Sequence, residues 1–96
     1  MRSEAELEKA VVNHVKAAGG LALKLILLNL RGFPDRTLIF PGGRIGFLEL
    51  KHPSGCGRVS RNQGRWCRTL ESFGFRVMIT HDFEEAKQFT EEIKNG

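Results

Sequence analysis

Apolar positions recur at helical spacing through the first eighteen residues, where Leu7, Ala10, Val11, Val15 and Ala18 share one stripe. Ser3 followed by Glu6 forms a capping box that opens this helix, and Gly19-Gly20 closes it. The pattern then changes period. LALKLILLN, residues 21–29, predicts a strand; RGFPD breaks it; TLIF, residues 37–40, predicts a second; and Pro41-Gly42-Gly43 turns the chain into a third, Arg44 to Lys51. HPSGCGR reads as a loop. Ser60 with Gln63 is a second possible capping box, opening a helix that runs to Phe73 and stops at Gly74. RVMIT, residues 76–80, predicts a fourth strand, and Asp82 or Thr80 caps a last amphipathic helix through Ala86, Phe89 and Ile93. The order is αβββαβα in a single domain, residues 1–96. A helix between strands three and four makes them parallel through a right-handed crossover, while strands one to three form an antiparallel meander. The expected fold class is α/β, with a mixed sheet flanked by helices.

Alternation along the third strand puts Ile45, Phe47, Glu49 and Lys51 on one face and Gly46, Leu48 and Leu50 on the other. If Pro41-Gly42-Gly43 is a three-residue hairpin loop, Phe40 faces Arg44, and counting back along both strands brings Asp35 opposite Glu49. A four-residue loop shifts this pairing by one. Two adjacent carboxylates repel each other and need a shared proton or a divalent cation. Magnesium takes hard oxygen ligands and reaches phosphate directly or through the waters it keeps. Glu49-Leu50-Lys51 alone is also compatible with an ion pair at a strand end.

Charge changes the picture. The formal net charge is +4, but residues 1–8 and 82–96 are acidic, and residues 9–81 hold twelve Lys or Arg against only Asp35, Glu49 and Glu71. A basic middle between acidic ends points to a polyanion, of which nucleic acid is the commonest. Arg61, Arg65 and Arg68 form one stripe of the Ser60 helix, opposite Gln63, Trp66, Cys67, Leu70 and Phe73. With Arg58 they suggest a phosphate-binding ridge, although a solvated face has the same pattern. Trp66, on the apolar side, reads as core rather than as a base-stacking platform. Gln63 either completes its capping box, reaches a metal held by the carboxylates, or does both. Lys24 among its leucines could bind phosphate or protect a strand edge.

On the first helix Glu4 falls near the middle of the apolar stripe, where an acid wants a partner or a metal, although an acid in a first turn also complements the helix dipole. Glu8, on the flank of the same stripe, is the alternative. The other features exclude more than they suggest. No apolar run is long enough to span a membrane, no signal peptide is evident, and the two cysteines, Cys56 and Cys67, read as reduced thiols of a cytoplasmic protein. A zinc site drawn from His52, Cys56, Cys67 and His81 lacks the usual ligand spacing. His52 borders the carboxylates. Neither a GxxxxGK[ST] loop nor GxSxG occurs, so nucleotide hydrolysis, a nucleotide cofactor and serine-hydrolase chemistry lack support.

Taken in order, Ser3-Glu4, Gly19-Gly20, Arg31-Gly32-Phe33-Pro34-Asp35, Pro41-Gly42-Gly43, Glu49-Leu50-Lys51 and Ser60 with Gln63 resemble the VRR-NUC family, the virus-type replication-repair nucleases of the PD-(D/E)xK superfamily. The resemblance covers nearly the whole chain. It implies a restriction-endonuclease-like core with Asp35 and Glu49 as ligands of Mg2+ or Mn2+, the Leu50 carbonyl as a third, and Lys51 as the catalytic lysine. Glu4, acting on the metal directly or through water, and Gln63 match the family's helix glutamate and downstream glutamine. It further implies a stand-alone phage or bacterial protein acting on branched or junction DNA in repair or recombination. In that setting the resemblance implies a homodimeric Holliday-junction resolvase in the cytoplasm of a bacterial or phage-infected cell. A nicking or flap nuclease targeted by a partner, and an inactive basic DNA-binding module, are the competing classes.

Overall fold

The computed structural model describes residues 3–52, 54 and 58–96. Helix α1 spans Glu4–Ala17; the Ser3 hydroxyl accepts from the Glu6 N–H while the Glu6 carboxylate accepts from the Ser3 N–H, completing the capping box. Leu7, Val11 and Val15 are its buried stripe, four residues apart. Strands β1 (Leu21–Leu23), β2 (Arg36–Phe40) and β3 (Arg44–Leu50) form an antiparallel meander, and β4 (Arg76–Thr80) lies parallel to β3. The crossover between them is α2 (Arg61–Ser72), and α3 (Phe83–Asn95), capped by Asp82, ends the chain. The expected order and pairing are those observed, with strands arranged β1-β2-β3-β4 across the sheet.

The two faces of the sheet are covered differently. Leu38, Phe40, Leu48 and Leu50 meet α1 and α3 in the main core, where Ala86, Phe89 and Ile93 supply the stripe of α3. Gly46 lies under Ile93, and a β-carbon there would collide with the Ile93 side chain, so the close approach of α3 to β3 requires glycine. On the other face Phe47 sits between Phe33 and Phe75, with edge-to-face ring separations of 5.5 and 5.3 Å, and Phe33 in turn meets Trp66 of α2 at 5.1 Å. This aromatic chain fixes α2 and the Phe33 loop beside the C-terminal end of β3.

The first strand is much shorter than its apolar run suggests. Residues 24–30 leave the sheet, and Leu25, Ile26, Leu28 and Leu30 are exposed. The cause lies in the partner strand: Leu23 already faces Thr37, β2 begins at Arg36, and Pro34 has no N–H to extend the ladder. Asn29 then takes a left-handed conformation, φ 64°, which turns the chain back. Phe73 also departs from expectation. As the C-cap of α2 it falls outside the apolar face and is 73% exposed. The loop reading for residues 52–58 covers Pro53, Gly55, Cys56 and Gly57, which lie outside the described residues.

Candidate metal and phosphate site

The hairpin count holds. Gly42 and Gly43 adopt positive φ, Phe40 pairs with Arg44, and the register runs back to Arg36 opposite Leu48. One step further, the Asp35 N–H donates to Glu49 Oε1 at 3.1 Å. Strand alternation on β3 points Glu49 away from the main core, yet only 5% of the residue is exposed because α2 and the Phe33 loop close over it.

Glu49 is held at both oxygens, since Gln63 Nε2 donates to its Oε2 at 3.0 Å. The other atom of that amide, Oε1, accepts from Lys51 Nζ at 2.8 Å and from the Ser60 N–H at 2.9 Å. Ser60 Oγ accepts from the Gln63 N–H at 3.1 Å, so Gln63 completes the capping box of α2 and reaches the carboxylates with one side chain. The capping reading of Gln63 is met, and its other end lies on Glu49. Lys51 Nζ lies 3.7 Å from Glu49 Oε2. Even so, the Glu49 carboxyl is pushed up to about 7, first by burial and then by the Asp35 carboxylate, which outweigh the opposing charge of Lys51.

The basic character of the surroundings is unevenly placed. Arg58, Arg61, Arg65 and Arg68 are all at least partly exposed, as a phosphate-binding ridge requires. Lys24 is largely exposed and lies 3.8 Å from Glu8 Oε1. A small cleft of about 140 Å³ opens beside Asp35, walled by Lys24, Leu27, Leu30 and Phe33. His52 pairs with Ser54 through Nδ1 at 2.8 Å. Cys67 is half-buried and its thiol is pushed up by burial. Cys56 lies outside the described residues.

The helix carboxylates differ from expectation. Glu4 is exposed in the first turn rather than facing the core, because the stripe of α1 turns inward only from Leu7. Glu8 is the half-buried one, with its Oε1 accepting from Arg36 Nε at 3.0 Å and Nη2 at 2.5 Å. Arg36 also donates to the Ala22 carbonyl at 3.2 Å, so it ties α1, β1 and β2 together next to Asp35. Sequence reasoning missed Arg36; its available signal was a cation placed directly after Asp35 on an otherwise apolar strand. It also missed Trp66 Nε1 donating to the Arg31 carbonyl at 3.0 Å, and the packing of Gly32, φ 84°, against the backbone of Asn62 and Gln63.

A mixed sheet with a carboxylate pair where a hairpin meets a crossover helix defines a restriction-endonuclease-like α/β domain. Its fold is that of the VRR-NUC domain: a solved structure so described superposes with a TM-score of 0.81 over 92% of this chain and 94% of that one, at 27% sequence identity. A protein of Acyrthosiphon pisum secondary endosymbiont phage 1, provisionally named nuclease p44, is 42% identical over 50 residues, which are 52% of this chain and 54% of the relative. The match thus spans about half the length of that relative. No family model matches the chain.

Proposed function

We propose that the chain is a Mg2+- or Mn2+-dependent, structure-selective DNA endonuclease, acting as a homodimeric Holliday-junction resolvase. The observation that carries the reading is the Asp35–Glu49 pair with Lys51 clamped beside it by Gln63. The donor set fits a hard divalent cation. Two carboxylates side by side, one with its affinity for a proton raised, are relieved by a cation as they are by a proton. Among the described residues no cluster of three or more His, Cys, Asp or Glu side chains able to hold a metal is present, so the reading rests on the two carboxylates alone.

Asp35 and Glu49 would hold the cation, and the Leu50 carbonyl is a supported third ligand. Because the Lys51 N–H donates to the Thr80 carbonyl, alternation turns the Leu50 carbonyl towards β2, where the residue next in register is Pro34, which has no N–H to offer. Glu8 is committed to Arg36, and Glu4, exposed in the first turn of α1, is assigned only an outer contact through water. When bound, the cation supplies Lewis-acid stabilisation of the charge that builds on the phosphate. Lys51 has three N–H donors; Gln63 takes one, and the others can hold the attacking water or a phosphate oxygen. The exposed arginines steer and position the strand through its phosphates.

The homodimer is supported by the segment after β1. Leu21, Leu25, Ile26, Leu28 and Leu30 are 45–87% exposed on or next to an edge strand, apolar side chains that a second copy would cover. A second copy is the occupant that also makes functional sense, since one centre cuts one strand and a four-way junction needs two symmetric cuts. No helix among the described residues is long and apolar enough to cross a membrane. The phage relative agrees with action in the cytoplasm of a bacterial or infected cell.

The deciding experiment incubates labelled four-way junction, flap and linear duplex with Mg2+, Mn2+ or EDTA, using wild type and Asp35→Asn. Paired symmetric cuts in the junction, abolished by EDTA and by the substitution, are the expected result. Cuts confined to the flap or a single nick would replace the resolvase by a flap or nicking enzyme. Binding with no metal-dependent cleavage would leave only a DNA-binding module.

A further inference from the structure

Beside the carboxylate site, on the outer side of α2, Asn62, Arg65, Trp66 and Thr69 line an open cleft of about 270 Å³. That is slightly below the roughly 300–1,000 Å³ of pockets for drug-sized ligands and suits a single planar ring system. The Trp66 ring is fixed before any ligand arrives: its N–H is held by the Arg31 carbonyl and it packs edge-to-face on Phe33. The polar groups around it are an amide, a hydroxyl and a guanidinium, which match a base edge on one side and a phosphate on the other. Asn62 directly precedes Gln63, whose side chain touches both Glu49 and Lys51, so the cleft lies within one helical turn of the reacting groups.

We infer that this cleft receives one unpaired nucleobase of the DNA strand, stacked on or against Trp66, with Arg65 on its phosphate. The inference rests on the nuclease reading for the identity of the strand, and it adds what that reading lacks, a physical basis for choosing branched over paired DNA. A base inside a duplex is stacked and paired, and bringing it out costs a few kcal/mol; at a junction, flap or gap that cost is reduced or absent. Stacking is tolerant of sequence because every base presents a π face, so the cleft selects structure rather than a particular base.

Trp66 is the only tryptophan, so intrinsic fluorescence reports this cleft directly. Wild type is titrated with a short thymidine oligonucleotide and with an abasic oligonucleotide of equal length, while anisotropy of a labelled strand measures binding separately. Quenching by the thymidine strand and not by the abasic one is the expected result. Trp66→Leu should weaken binding of the thymidine strand roughly ten-fold. Asn62→Ala keeps the β-carbon on which Gly32 rests, and should reduce the difference in affinity between the two strands without loss of fold. Equal quenching by both strands, or binding of the thymidine strand with unchanged fluorescence, overturns the base pocket even if DNA is cleaved. Quenching by bases in a protein that cleaves no DNA would sink the nuclease reading and leave the pocket standing.

Discussion

The Gln63 side-chain N–H donates to Glu49 while its oxygen accepts from Lys51, so one neutral amide spaces an acid and a cation that would otherwise collapse on each other. Direct pairing would neutralise both groups against one another. The geometry keeps Lys51 Nζ at 3.7 Å from the Glu49 carboxylate, near enough to attract and short of a hydrogen bond.

Gln63→Glu tests that spacing without removing the helix cap, since Glu is the other residue of a capping box. The new carboxylate faces Glu49 and competes for Lys51. Cleavage should fall by about 10- to 100-fold, the usual cost of disturbing a group that orients a metal ligand, and without a cation stability should fall because Glu49 loses its donor and gains a like charge. Gln63→Ala should lose the same activity and in addition about 1 kcal/mol of stability with its half of the cap. If Gln63→Glu cleaved like wild type, the amide would be only a cap.

Glu49 sets a pH dependence. Its folded pKa, about 7, is raised above the ordinary 4.5, so the stability associated with its protonated form is fully present below pH 4.5 and is lost as pH rises through 7. A divalent cation competes for the same oxygens, so its binding strengthens as pH rises through that window. Added Mg2+ should therefore raise Tm more at pH 8 than at pH 5.5, and Asp35→Asn should abolish the difference. A Tm increment independent of pH would place the cation elsewhere.

The apolar segment can be tested apart from the site by changing two of its exposed side chains, neither of which lines the cleft beside Asp35. Ile26→Asp with Leu28→Asp exposes charge where residues 87% and 82% exposed now meet water. Wild type should run as twice the 10.8 kDa chain in light scattering and the double variant as a monomer. The monomer should still nick DNA but lose paired junction cuts. A monomeric wild type would remove the two-fold resolvase.

Arg61→Ala and Arg65→Ala should each weaken DNA binding. For every phosphate that a substitution leaves without its cation, the slope of log K against log salt should flatten by roughly 0.9 for duplex. Arg61 measures phosphate binding alone, whereas Arg65 also borders the Trp66 cleft. An unchanged slope would show that the arginines face solvent only.

How far the sequence could be read follows from what each signal depends on. The capping boxes and the three-residue hairpin are local, and Ser3, Ser60 and Pro41-Gly42-Gly43 marked them; from the hairpin the Asp35–Glu49 meeting followed by counting. Residues 24–29 were misread because an apolar run records only hydrophobicity, and whether it joins a sheet depends on the length of a partner strand some twelve residues away. Glu4 was misplaced because a helical wheel treats a first-turn residue as though the core extended to the helix end. Arg36 and Trp66 act through carbonyls and carboxylates brought near by the fold; a cation directly after Asp35 marks Arg36 as unusual, but neither residue's partner can be read from the chain.

Gly32 offers the sharpest test of how the site is held. Its φ of 84° lies where L side chains are strained by about 1–2 kcal/mol. A β-carbon there would also stand 2.6 Å from the Asn62 backbone carbon and 2.7 Å from the Gln63 nitrogen. Backbone atoms cannot rotate away as a side-chain tip can, so Gly32→Ala must lift the Phe33 loop off the first turn of α2. That displaces Gln63, which carries Lys51, and loosens the Trp66–Arg31 bond on the same loop. The variant should lose about 2 kcal/mol or more in chemical denaturation. In cleavage it should resemble Gln63→Ala, with a Trp66 emission shifted towards that of a solvated indole. Gly43→Ala is the matched control, because its φ of 72° is similarly strained but a β-carbon there meets nothing within 4 Å. Equal losses of stability and activity in the two variants would mean that backbone strain alone, and not packing against α2, accounts for the glycine.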